Sequence, residues 1–92
     1  MRLLTWNVQW CRGMDGRVDP ARIAAYARET DADVICLQEV AIGFADLPGS
    51  KGENQVQMLK EELPGYAEFF GAAVDLPGVG GARKRFGNMI FS

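Results

Sequence analysis

Two polar residues close otherwise apolar runs: Asn7 in TWNVQW and Glu39 in VICLQEV. An amide beside a single carboxylate suits Mg²⁺, which uses one or two protein carboxylates and fills its other positions with water and phosphate oxygens. The same residues have an ordinary reading too, with Glu39 as a solvated strand end and Asn7 as a turn residue bonded to its own backbone. Spacing alone leaves both open. The chain has no histidine, so hydrolysis confined to it would have to rest on carboxylates, lysine or a metal. Arg83, Lys84 and Arg85 form a basic run able to meet a substrate phosphate, although three like charges in a glycine-rich loop serve equally as a solvated surface. Trp6, inside a strand, reads as core, whereas Trp10 on the following loop is either core or a stacking platform.

The elements that must position these groups follow from apolar patterning. Arg2 to Val8 reads as a strand. Asp19-Pro20 then starts a helix, because aspartate accepts a backbone N–H at the cap and proline already has helical φ at the first position. That helix runs to about Glu29, with Ile23, Tyr26 and Ala27 on one apolar stripe. Val34 to Leu37 is a continuous apolar run expected to be a strand buried on both faces. Strand, helix, strand at this spacing is a βαβ-like unit, and a right-handed crossover makes its strands parallel neighbours. Asn7 and Glu39 would then reach the same sheet edge, the carboxyl end where α/β sheets bind ligands.

Ala41 to Gly52 turns to Gly, Pro, Asp and Ser and reads as a loop. Asn54 to Leu63 carries Val56, Leu59 and Leu63 at helical spacing and is stopped by Pro64-Gly65. Tyr66 to Gly71 and Phe86 to Phe91 are two further expected strands, joined by Pro77, Gly78, Gly80, Gly81 and the basic run. The expected class is α/β, about four strands with two helices on one face. Strand alternation sets Leu3 against Leu4, Val34 against Ile35 and Phe69 against Phe70 on opposite faces. Both faces call for burial, so another sheet of the same protein or a second copy must cover the face without helices.

Composition sets outer bounds. With 48% hydrophobic and 24% charged residues, the chain is a globular segment and not a disordered tail. A net charge of −2 and a pI near 5.0 give no overall basic footprint for gripping long nucleic acid. Cys11 and Cys36 lack CxxC spacing, and Cys36 reads as a small buried hydrophobe. A reducing, cytoplasmic setting fits this usage. No run approaches the ~18 apolar residues of a membrane span, and MRLLTWNV lacks the long apolar stretch of a signal peptide.

A strand ending in TWNV, a helix before DADVICLQEV, a helix NQVQMLKEEL, the LPGY turn and a strand RFGNMIFS occur in that order. In this the chain resembles the first part of the endonuclease/exonuclease/phosphatase (DNase I-like) superfamily, along almost its whole length. The resemblance implies the amino-terminal half of a four-layer α/β sandwich, so residues 1–92 would be a single partial domain of a longer enzyme. It implies Mg²⁺- or Mn²⁺-dependent hydrolysis of a phosphoester, in nucleic acid or a small molecule, and it puts Asn7 and Glu39 in the metal site. Several members carry aspartate two residues beyond the asparagine; here that position is Gln9. The family's histidine, its aspartate partner and further Asp and Asn residues would belong to the missing carboxyl-terminal half, leaving this piece inactive by itself. The alternative is a non-catalytic interaction module, or a truncated product that homodimerises through its exposed sheet face.

Overall fold

The structure is a computed structural model describing residues 1–92. Strand β1 (Leu3–Asn7) leads through a long turn to helix α1 (Pro20–Glu29), and β2 (Val34–Ile42) follows. Helix α2 (Gln55–Glu62), β3 (Glu68–Pro77), a short 3₁₀ turn (Val79–Gly81) and β4 (Arg83–Phe91) complete the chain. The strands form one mixed sheet in the order β1-β2-β4-β3, with β1 and β2 parallel and the other pairs antiparallel.

Both helices begin as their sequences dictate. Asp19 accepts the Arg22 N–H at α1, with Pro20 in the first turn, and Asn54 accepts the Gln57 N–H at α2. α1 buries Ile23, Ala24 and Ala27, and α2 buries Leu59. These residues meet Ile35, Leu37, Met89 and Phe91 in a single core. Register explains the pattern, since Trp6, Leu37, Met89 and Phe70 lie opposite one another across all four strands and share the helix-covered face. Burying each such large apolar side chain stabilises the fold by about 1.5–3 kcal/mol.

The neighbouring row, Thr5, Cys36, Ile90 and Phe69, points to the opposite face. There Phe69 is 68% exposed, Leu3 64% and Ile90 41%, so this apolar face has no cover within the chain.

Several expectations are corrected. Val34 and Cys36 are only half-buried, because just one face of β2 meets helices; the fully buried cysteine is Cys11. Tyr26 lies mostly exposed at the edge of the α1 stripe, its ring tilted against Trp6 at 5.3 Å between centroids. β2 continues to Ile42, past the expected start of the loop at Ala41.

β3 and β4 are likewise longer than their apolar cores. The basic run lies on β4 and not in a loop, because Asp75 faces Arg85 across the hairpin and bonds both Arg85 and Arg83. Gly80 (φ 66°) and Gly81 (φ 82°) supply the left-handed backbone that turns the chain back. Further along β4, a Cβ on Gly87 would sit 2.0 Å from the Gly71 carbonyl oxygen, so the hairpin strands approach too closely for any side chain there.

Candidate metal centre

Strict alternation along β2 would bury Glu39, because Leu37 faces the helices and position 39 lies two residues on. A bulge prevents this. Pairing of β2 with β4 shifts register between Leu37 and Val40, and Glu39 takes a left-handed backbone with φ 61°. Leu37 and Val40 both remain buried while the Glu39 carboxylate emerges at the rim. A non-glycine residue in this region costs roughly 1–2 kcal/mol, which the surrounding bonds must offset.

Asn7 arrives beside it from β1. Its register partner is Gln38, and its Nδ2 donates to Glu39 Oε2. Asn7 Oδ1 also accepts the Gln9 N–H at 3.1 Å, so the asparagine does act as a turn residue while it meets the carboxylate. The parallel βαβ arrangement therefore brings the two sequence-selected residues into direct contact. Asn7 and Gln9 also line a cleft of about 610 Å³ walled by Trp6, Arg12, Arg22 and Tyr26.

Beyond β1 the chain makes an unusual turn in which Gln9, Trp10 and Cys11 all have positive φ, at 49°, 46° and 59°. None is glycine, so external bonds must hold it. Trp10 N–H donates to the Glu39 carbonyl at 2.6 Å, its indole N–H to Pro48 O at 2.9 Å, and Asp19 N–H to Cys11 O at 3.0 Å. Trp10 thus serves as an anchor between the turn and the 43–52 loop. Burial pushes the Cys11 thiol up to about 12, with the Glu53 and Asp19 charges adding to the effect, so it stays protonated and is neither nucleophile nor thiolate ligand.

Gln55 was missed by sequence reasoning, as its position at the start of α2 resembles any solvated polar residue. It is fully buried. Its Oε1 accepts the Ala41 N–H at 3.0 Å, and its Nε2 donates to Trp10 O at 2.8 Å and Glu53 Oε1 at 2.9 Å. Burial pulls the Glu53 carboxyl upward, but bonds from Gln55, from the Glu53 and Lys51 backbone and from Ser50 outweigh it and hold the group below its ordinary range.

The donor chemistry fits Mg²⁺. Glu39 offers one carboxylate whose Oε1 makes no hydrogen bond, and Asn7 Oδ1 keeps a second lone pair. Arg83, Lys84 and Arg85 lie elsewhere, on the hairpin, where Arg83 and Arg85 bond Asp75. Lys84 bonds Asp46 at 3.2 Å and covers the Phe44 ring.

Comparison with known proteins agrees with this architecture. The sequence model described as "Endonuclease/Exonuclease/phosphatase family" matches residues 4–92. The "Exodeoxyribonuclease" of Bacillus subtilis (strain 168) is 43% identical over 49 residues, which is 51% of this chain and 18% of that protein. The endonuclease/exonuclease/phosphatase of Beutenbergia cavernae DSM 12333 superposes with a TM-score of 0.74 and 38% identity, over all of this chain and 25% of its own. A family protein from Leptotrichia buccalis C-1013-b shares the fold at TM-score 0.61 and 24% identity, over all of this chain and 36% of that one. The chain therefore spans between about a fifth and about a third of the lengths of these relatives. On the match across residues 4–92, the chain belongs to the endonuclease/exonuclease/phosphatase family, which is phosphoesterase- and nuclease-like.

Proposed function

We propose that this chain is the amino-terminal part of a divalent-metal-dependent phosphoesterase, with Glu39 and Asn7 as its metal-holding residues. The observation that carries the reading is the Asn7–Glu39 contact where the parallel pairing of β1 and β2 ends, reached only because a strained bulge turns Glu39 away from the core. Glu39 would hold Mg²⁺ or Mn²⁺ through its carboxylate. Asn7 would orient that carboxylate through Nδ2 and offer its own oxygen. Gln9, a neutral amide where several family members have aspartate, would at most hold a water. When bound, the cation would polarise a phosphoryl oxygen and stabilise charge on the leaving oxygen.

The histidine that the family resemblance implies as the water-activating group has no counterpart in this chain and would belong to the rest of the domain. That same remainder would cover the face bearing Leu3, Ile90 and Phe69, as the greater length of the relatives supports. The substrate class is a phosphodiester or phosphomonoester, nucleic acid included, in a cytoplasmic setting consistent with two free cysteines. Phosphate contact by Arg83, Lys84 and Arg85 is a subsidiary proposal, since any phosphate must compete with Asp75 and Asp46 for these cations. It requires the triple glutamine variant to raise KM severalfold with metal affinity intact; an unchanged KM removes it.

The deciding experiment assays the full-length protein with Mg²⁺ and with Mn²⁺ against bis(p-nitrophenyl) phosphate, an abasic DNA duplex and a lipid phosphodiester. Metal-dependent turnover of at least one, abolished in Glu39→Gln, is expected; metal-independent turnover, or a fully active variant, overturns the reading. A second reading, homodimerisation through the uncovered apolar face, is favoured by its large exposed side chains. Sedimentation of the 92-residue piece beside the full-length protein separates the two, because only the second reading makes the full-length protein dimerise through this face.

A further inference from the structure

Two backbone segments and the Glu53 carboxylate converge on the Gln55 side chain, and both segments carry the proposed metal residues. Ala41 lies two residues beyond Glu39 on the bulged strand, and Trp10 lies three beyond Asn7 in the left-handed turn. Trp10 N–H is bonded to the Glu39 carbonyl, Trp10 O to Gln55 Nε2, and Ala41 N–H to Gln55 Oε1. These contacts close a ring: Glu39, Trp10, Gln55, Ala41 and back along β2 to Glu39.

The amide can sit only one way round. Reversed, its oxygen would face the Trp10 carbonyl and the Glu53 carboxylate, while its NH₂ would face the Ala41 N–H. Every member of the ring is satisfied, and no buried side-chain polar atom in the protein lacks a partner. The segments so joined contain four of the five non-glycine positive-φ residues: Gln9, Trp10, Cys11 and Glu39. Each of these disfavours its own conformation, so the bonds that over-determine the turn and the bulge set the separation of Asn7 and Glu39.

We infer that Gln55 is the positioning residue of the metal centre, an internal clamp that holds the β1 turn against the β2 bulge and so sets Asn7 against Glu39. The inference builds on the metal reading above but concerns a geometry present without metal. Removing a residue that orients ligands typically costs about 10- to 100-fold in metal affinity.

The test uses the full-length protein with Gln55→Met, which matches the side chain in length and lacks all three bonds, and Gln55→Glu, which keeps only an acceptor for Ala41. Val56→Ala, on the same helix but outside the ring, controls for general destabilisation. Without metal, NMR of the Asn7 side-chain amide and the Trp10 and Ala41 amide exchange rates report the clamp. With Mn²⁺, water proton relaxation gives the affinity.

Gln55→Met is expected to shift the Asn7 amide signal, expose the Trp10 and Ala41 amides to exchange and weaken Mn²⁺ binding at least tenfold. Gln55→Glu, with an oxygen set against two acceptors, should disturb the same signals and weaken Mn²⁺ binding at least as much, and Val56→Ala should change only the melting temperature. If Gln55→Met lowers the melting temperature but leaves the Asn7 signal and Mn²⁺ affinity at parental values, Gln55 is scaffold and the inference is overturned. If Gln55→Met does not fold, Gln55→Glu decides by the same readouts. Parental Mn²⁺ affinity in Glu39→Gln would instead remove the metal reading, while the metal-free signals still decide whether Gln55 sets the geometry.

Discussion

The rim formed by β1 and β2 and the hairpin formed by β3 and β4 solve opposite problems with the same backbone. At the rim, Gln9, Trp10, Cys11 and Glu39 occupy left-handed conformations that their side chains disfavour. At the hairpin tip, Gly80 and Gly81 occupy the same region at no steric cost. The rim is stitched by a buried amide, and its carboxylate stays free at one oxygen. The hairpin is exposed along nearly all of β3, and its cations are bonded to Asp75 and Asp46. Strain held by side-chain bonds is what the proposed metal site would need, whereas strain relieved by glycine suffices for a region that only has to turn.

This contrast can be broken in several ways. On the proposed metal reading, the largest effect belongs to Glu39→Gln in the full-length protein, which should lower metal-dependent turnover on the order of 100-fold or more while the circular dichroism spectrum stays parental. Loss of secondary structure instead would place the carboxylate among the fold's supports. Next come two backbone substitutions of opposite sign. Gly80→Ala meets no atom within 4 Å, so its cost is purely conformational, about 1 kcal/mol in urea denaturation. Gln9→Gly, at an exposed left-handed position, should stabilise the protein by up to about 1 kcal/mol. Equal effects at the two sites would erase the distinction.

Smaller still is Asp75→Asn, which releases Arg83 and Arg85. A surface pair of this kind is worth under about 1 kcal/mol, so stability should fall slightly at low salt and not at all at high salt. The last test is acidification. Bonding from Arg22 holds Asp15 well below its ordinary 3.8, and the bonds around Glu53 hold it below 4.5 despite burial. The stability both carboxylates contribute is therefore complete above those ordinary values and is lost as pH falls through the depressed ones. Glu53 is bonded to Gln55, so amide exchange at Trp10 should quicken over that acid range before the Gly80 region changes. Simultaneous change would deny the rim its separate support.

The parts legible in the sequence are those governed by local rules. Asp19-Pro20 and Asn54 announce their helices, and the apolar runs announce where the strands lie but not how far β2 and β3 extend, to Ile42 and Pro77. The Asn7–Glu39 encounter was readable because a βαβ crossover admits one sensible handedness. The bulge was not, since glutamate carries no signal for a left-handed backbone and only the buried neighbours Leu37 and Val40 require it. Nothing in Gln9-Trp10-Cys11 suggests a left-handed turn either, because its determinants lie in Gln55, Asp19 and Pro48. Arg83 to Arg85 resembled a loop because charge hides strand propensity until Asp75 is set opposite.

Gly87 carries a consequence for how this protein can vary. The atom that would collide with a side chain there belongs to the main chain of Gly71, so no exchange of a neighbouring side chain can make room. A suppressor screen against Gly87→Ala should therefore yield only true revertants, or insertions and deletions in β3 that slide its backbone aside.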